Sequence, residues 1–255
     1  MAVHTIYVGC AGWRIPREHA TWFPTQGTHL ERYAARFPAV EINSSFYRLH
    51  RPSTYRRWAG STPPGFRFAV KLFRQLTHGQ RLRHVAGLDA FLEGVEALGE
   101  KLGPLLIQLP PSLEFDPLVA QAFFRALRAR FRGWVACEPR HPTWFTPEAE
   151  ALLVRHRVAR VAADPPPAPD GDRPGGWVGL SYWRLHGSPR RYYDPYDPAR
   201  LVSLAQELRR AAERGPVWCI FNNTAAGAAL PNAWALLQEL DPGALTPGPG
   251  RGQPG

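Results

Sequence analysis

Short runs rich in Val, Ile, Tyr and Phe recur about every 30 residues along this chain, with helical patterns between most of them. That alternation marks repeated strand–helix units. The runs predict strands over residues 6–10, 39–42, 67–70, 105–108, 135–138, 160–163, 182–185 and 217–221. Eight parallel strands predict an α/β fold of the TIM-type (β/α)8 barrel, a single domain over residues 1–240. Helix starts are marked by Asp116-Pro117, Thr146-Pro147 and Asp197-Pro198, each pairing a capping side chain with proline at the first helical position. Between Asp164 and Trp177 the segment PPPAPDGDRPGG stands where a helix is due. The sixth unit is therefore expected to be atypical, with a loop long enough to act as a lid. The Pro/Gly-rich end, residues 241–255, is expected to be a disordered tail.

Composition changes this picture in two places. The net charge of +10 is made almost wholly of arginine, 29 Arg against 2 Lys, which favours anionic partners. The same bias follows from genome composition or heat adaptation, so the exceptions to it carry the information. Lys71 is one of the two lysines, and Asn43, Asn222 and Asn223 are three of four asparagines. Cys10, Cys137 and Cys219 each sit in an apolar run with no CxxC spacing, and read as buried small hydrophobes. No run has the roughly 18 apolar residues of a membrane helix and no leader pattern opens the chain, so a cytoplasmic, soluble protein is expected.

The exceptions fall where strands end: Gly12 and Trp13, Glu41 and Asn43, Lys71, Gln108, Glu138 and Arg140, Asp164, Arg184 and His186, Asn222 and Asn223. In a parallel barrel these ends form one mouth, where active sites are built. Side chains two apart on a strand share a face, so Glu41 with Asn43, Glu138 with Arg140, and Arg184 with His186 are expected to point into it together. Ala39, Ala69, Ala136 and Ala162 precede the polar residues by two, and are expected to leave room beneath them.

These residues resemble the YecE-like family, domain of unknown function 72. The likeness rests on VGCAGW at 8–13, EINSSFYR at 41–48, FRFAVK with LTH within 66–78, LGPLLIQLPPS at 102–112, EPRHPTWF, YWRLHG at 182–187 and FNNTAAGAALPNA at 221–233. The resemblance implies a TIM-like barrel and carries no established reaction. In that family an aromatic usually separates the Glu from the Arg-His pair, where this chain has Pro139, and Asp often follows the paired asparagines, where it has Thr224.

The convergence of acids and bases predicts an enzyme, with Glu41, Lys71, Glu138, Asp164 and His186 as catalytic candidates. Retaining a lysine in an arginine-dominated chain suggests that an ammonium is needed, as a phosphate anchor, a proton donor or a Schiff-base amine. Arg140 and Arg184 offer forks for phosphate or carboxylate. Trp13, Asn43, Tyr47, Gln108, His141, Asn222 and Asn223 complete the expected substrate contacts. The expected partner is an anionic small molecule, a nucleotide or nucleic acid. A competing structural account makes the mouth a self-satisfied ion network and the protein a nucleic-acid binder acting through surface arginines. A third makes it a metal-dependent sugar isomerase or lyase, with magnesium or manganese on Glu41, Glu138, Asp164 and His186.

Overall fold

The computed structural model describes residues 4–241, so most of the expected tail lies outside the described residues. Ten strands form one sheet: β1 Ile6–Ala11, β2 Ala39–Ile42, β3 Arg67–Lys71, β4 Leu102–Gln108, β5 Val135–Glu138, β6 Val158–Arg160, β7 Ala162–Asp164, β8 Gly175–Gly176, β9 Ser181–Leu185 and β10 Val217–Phe221. Their order is β7-β9-β10-β1-β2-β3-β4-β5-β6-β8, and every pairing is parallel except β6 with β8. The predicted sixth strand is thus two strands broken at Val161. The first half pairs with β5 and the second with β9, while the Val161 amide donates to the Cys137 carbonyl at 2.8 Å. The two flanks of a nearly closed sheet therefore meet within one chain segment.

Among the described residues seven α-helices cover the sheet: α1 His29–Ala34, α2 Pro52–Gly60, α3 Leu88–Glu96, α4 Pro117–Arg130, α5 Pro147–Arg155, α6 Pro198–Ala212 and α7 Ala229–Leu240. The three caps read from sequence form as expected. Asp116 accepts from the Leu118 and Val119 amides, Thr146 from Ala149 and Asp197 from Arg200. The segment after Asp164 holds no helix. It returns to add β8 along β6, and the Arg160 guanidinium donates to the Asp170 and Arg173 carbonyls while pairing with Glu150. Glu150 also accepts from the Gly176 amide. The expected lid is a strap fastened to the outside of the sheet.

Two apolar clusters divide the molecule. One joins the outer sheet face to the helices, and a smaller one fills the interior with Ala39, Ala69, Leu106, Ala136, Ala159, Val161, Leu180, Tyr182, Trp218 and Ile220. The interior is asymmetric. Strands β2, β3, β5 and β6 supply alanines, and β9 and β10 supply Tyr182 and Trp218, stacked at 6.2 Å with Tyr7 on the far side of Trp218 at 4.8 Å. The room expected beneath the mouth is filled by these rings and by Arg184, reaching across from the opposite wall. Ala162 instead belongs to the outer cluster, because Ala159 and Val161 are the positions that face the interior and alternation continues unbroken from β6 into β7, turning Ala162 out.

Arginine also fastens the fold. Arg128 donates to the carbonyls of His156 (2.7 Å), Gly133 (2.6 Å) and Arg157 (2.5 Å), Arg36 to Trp22 (3.0 Å), Arg67 to Pro64 (2.8 Å) and Arg81 to Ser112 (2.7 Å). Much of the basic surplus thus satisfies loop and helix-end carbonyls that would otherwise need water.

One junction is closed by a side chain. Gly9 lies so near β2 that a Cβ there would meet the Ala39 carbonyl oxygen at 2.1 Å, and the buried Tyr33 hydroxyl bridges the gap, accepting from the Cys10 amide (2.8 Å) and donating to Ala39 O (3.0 Å). Tyr33→Phe leaves both backbone groups without that partner. Urea unfolding should show a loss of about 1–3 kcal/mol; a change within the error of the measurement would show that the bridge contributes nothing.

Candidate functional site

Glu41 and Glu138 stand on the inward faces of β2 and β5, and Arg184 on β9 reaches between them. Its Nε and Nη2 donate to Glu41 Oε2 (3.0 Å) and Oε1 (2.7 Å), and its Nη1 to Glu138 Oε2 (2.7 Å). Tyr182 OH adds a bond to Glu41 Oε2 at 2.9 Å. On the other side of Glu138, Oε1 receives Arg140 Nη2 at 2.5 Å and His186 Nε2 at 2.9 Å. Asn222 Nδ2 lies 3.0 Å from His186 Nδ1. Arg140 Nη2 lies 3.0 Å from His186 Nε2 as well, so the imidazole is hemmed in by Glu138, Arg140 and Asn222. Glu41, Glu138 and His186 are completely buried and Arg184 is 1% exposed.

These contacts fix the protonation states. Burial opposes charge on Glu138, but Arg140, Arg184 and His186 outweigh it and hold the carboxyl well below its usual range. Burial pushes His186 down to about 4, against the pull of Glu138, so it is neutral at pH 7. Burial opposes the charge on Arg184 too, yet Glu41 and Glu138 raise its affinity for the proton. A carboxylate so held is a poor general base, since an ideal one is poised near the operating pH. Glu138 is placed to hold cations, not to move protons, and Glu41 is bound by Arg184 and Tyr182.

Lys71 differs. It is half-buried at the end of β3 and its Nζ makes no hydrogen bond or ion pair among the described residues. It lies over the Phe46 ring, 4.0 Å from the centroid. Burial and the nearby Arg184 push its pKa down to about 8, with Glu41 and Glu138 pulling the other way. Beside it, the Nε of Arg140, whose side chain is 8% exposed, has no partner, nor does the buried Oδ1 of Asn43. The mouth therefore carries two carboxylates (Glu41, Glu138) against three cations (Arg184, Arg140, Lys71), with positive charge left over.

The remaining sequence candidates divide. Gln108 is half-buried in register with Glu138, its Nε2 on the Leu109 carbonyl (2.7 Å). Trp13 packs edge-on against Trp58 (5.1 Å) and lines, with Gly12, Arg14, His29, Asn43 and Ser44, a hollow of about 360 Å³. A second hollow of about 710 Å³, sharing Gly12 and Arg14, opens toward Thr224–Gly227. Tyr47 is 70% exposed and packs edge-on against Phe46. His141 caps the short helical turn Pro142–Phe145, bonded to Thr143. Asn223 is buried and bonds Asp194 O and Asn232 Oδ1, a role in loop anchoring.

Asp164 is a correction. It faces outward with Ala162, half-buried, 3.8 Å from Arg200 of α6, because the inward set on this strand is Ala159 and Val161 and Asp164 falls on the alternate positions. The proposed metal set fails with it. Asp164 lies outside, Glu41 and Glu138 sit on opposite sides of one guanidinium, and among the described residues no group of three or more His, Cys, Asp and Glu could hold a metal ion. Phe46, beneath Lys71, is the contributor that strand-end reasoning passes over. It lies five residues beyond Glu41 on the turn Ser44–Phe46, and only the aromatic run FYR hints at it.

The family model "Protein of unknown function DUF72" matches residues 7–253. The chain belongs to the DUF72 family. This DUF72 chain is 34% identical over 171 residues to the UPF0759 protein YecE of Escherichia coli, covering 64% of this chain and 60% of that protein. It thus spans less than two thirds of the length of that relative. It is 25% identical to the UPF0759 protein YunF of Bacillus subtilis, over 92% of this chain and 95% of that one. Crystal structures of DUF72 family proteins from Enterococcus faecalis (TM-score 0.78, 21% identity, 93% and 96% coverage) and Thermotoga maritima (TM-score 0.76, 24% identity, 93% and 100% coverage) share the fold.

The protonation states predict a signature in stability. His186 has a folded pKa near 4, below the ordinary value of about 6.5 that it takes on unfolding. The unfolded chain therefore binds the extra proton between those values, and stability must rise as pH goes from about 4 to about 6.5, by up to about 3 kcal/mol. His186→Gln should remove that rise. The loss of Glu138 pairing falls at lower pH, since its folded value is depressed, and should remain. Urea unfolding from pH 3 to 8 checks both; an unaltered rise in His186→Gln would show that another group causes it.

Proposed function

We propose that this protein is an enzyme that takes an anionic, phosphate- or carboxylate-bearing substrate at the C-terminal mouth of its sheet. Lys71 and Arg140 hold the anion, and Lys71 is the group that gives or takes a proton. In the same reading β6 and β7 are one broken strand, making an eight-stranded (β/α)8-type barrel with β8 as an added ribbon. The observation that carries the proposal is the positive charge left at the mouth once Glu41 and Glu138 are paired. Lys71 Nζ has no partner, and Arg140 keeps a buried N–H unbonded. An orphaned buried donor costs about 1–3 kcal/mol, a cost that a bound oxyanion would remove.

Lys71 suits proton transfer better than Glu138, because about 8 is close to the working pH while the Glu138 carboxyl is held far below it. The fixed forks and buried surroundings strengthen any bond to an entering oxyanion. Surface binding of nucleic acid is less well supported, since several surface arginines are engaged with backbone carbonyls. A mononucleotide remains within the class of substrate proposed.

Calorimetric titration with inorganic phosphate and with a set of phosphomonoesters tests the reading. Lys71→Ala and Arg140→Ala should each weaken binding about tenfold or more, the loss of one charge-assisted bond. Lys71→Arg should keep binding and lose turnover. Equal binding by wild type and both alanine variants would remove the mouth as the site.

A further inference from the structure

The two lysines of the chain do different work. Lys101 Nζ donates to the Ala59 and Thr62 carbonyls (2.6 and 2.5 Å) and to Thr62 Oγ1 (3.0 Å), so all three of its protons are engaged in fastening α2. Lys71 Nζ has no such partner. In a protein that uses arginine almost everywhere a cation is wanted, with two arginines beside it in the same mouth, positive charge alone does not account for an amine at this position. An amine differs from a guanidinium in that it can lose its proton and become a nucleophile.

Its setting suits that use. Glu41, on β2, and Glu138, on β5, are near enough to act on Lys71 through space, but both are bound by arginines, so no ion pair has to break before the nitrogen is free. Arg184 from β9 and Arg140 beyond β5 disfavour the charged form, and His78 lies on the third side against Phe46. The Phe46 ring makes one wall, close enough to stabilise a cationic nitrogen. Ser45 fixes that wall, its hydroxyl lying 2.7 Å from the Lys71 carbonyl and 2.9 Å from that of Ile42, which ties the turn carrying Phe46 to the end of β3.

We infer that Lys71 forms an imine with its substrate, which is therefore an aldehyde or ketone bearing a phosphate or carboxylate. The inference rests on the anion-binding reading above, with Arg140 as the clamp for the charged group. The neutral Nζ adds to the carbonyl carbon, forming a C–N bond and a carbinolamine. Loss of the carbinolamine oxygen as water, with the second nitrogen proton, leaves the C=N bond, so amine and carbonyl give imine and one water. No oxidant or reductant is required. With a pKa of about 8, Lys71 has roughly 300-fold more free amine at pH 7 than a lysine at the ordinary value.

Pyridoxal 5′-phosphate and glyoxylate, a bulky and a small anionic aldehyde, are suitable probes, with pyridoxal as the control lacking the anion. Each is incubated with the full chain, reduced with borohydride and mapped by peptide mass spectrometry. The expected result is a saturable adduct on Lys71, in about tenfold or greater excess over Lys101, whose Nζ protons are engaged by the Ala59 and Thr62 oxygens. It is suppressed by inorganic phosphate, weaker with pyridoxal, absent in Lys71→Arg, and its rate rises to about pH 8 and then levels. Equal labelling of both lysines overturns the inference. Phosphate binding by calorimetry with no adduct from either aldehyde overturns the imine and leaves the anion site standing. Neither binding nor adduct removes both.

Discussion

The guanidinium of Arg184 held between two buried carboxylates governs the rest of the mouth. Glu41 and Glu138 come from strands on one side of the sheet and Arg184 from the other, and three of its nitrogens donate to the pair. Burying such ions costs several kcal/mol each, returned only when every lone pair and proton finds a partner. That demand explains Tyr182 on Glu41, and Arg140 and His186 on Glu138. It also explains the lopsided interior, because a side chain as long as arginine crosses only if the facing wall is built of alanine.

This constraint redistributes the chemistry. Once Glu138 is committed to Arg184 and Arg140 it is no longer available as an acid or base near neutrality, nor is His186, whereas Lys71 titrates close to it. The structural and functional accounts of the mouth therefore both apply, at different depths. The lower layer is a closed ion network, and the upper layer, with Lys71, Arg140 and Asn43, holds polar groups without partners. The arginine surplus divides likewise between fasteners of backbone carbonyls and the two that shape the mouth.

Much of this was legible in the sequence, and the failures share a cause. Strand positions, capped helix starts, the missing sixth helix and the gathering of Glu41, Lys71, Glu138, Arg140, Arg184, His186 and Asn222 follow from period-two patterning and from strand ends meeting at one face. The phase of the sixth strand did not, because small apolar residues stand on both of its faces and period two alone does not say which set points in; Ala159 and Val161 do, which turns Ala162 and Asp164 outward. Nor could spacing show that Glu138 would be satisfied by three donors from residues 140, 184 and 186, or that Asn223 and His141 would serve loops. Such roles depend on distances across the sheet that no local pattern encodes.

With only two lysines in the chain, Lys71 can be followed individually by NMR titration of its side-chain Cε resonance. The account predicts a midpoint near pH 8, moving upward when inorganic phosphate is added, since an anion at the mouth favours the ammonium. A midpoint at the ordinary lysine value of about 10.5, unmoved by phosphate, would contradict it.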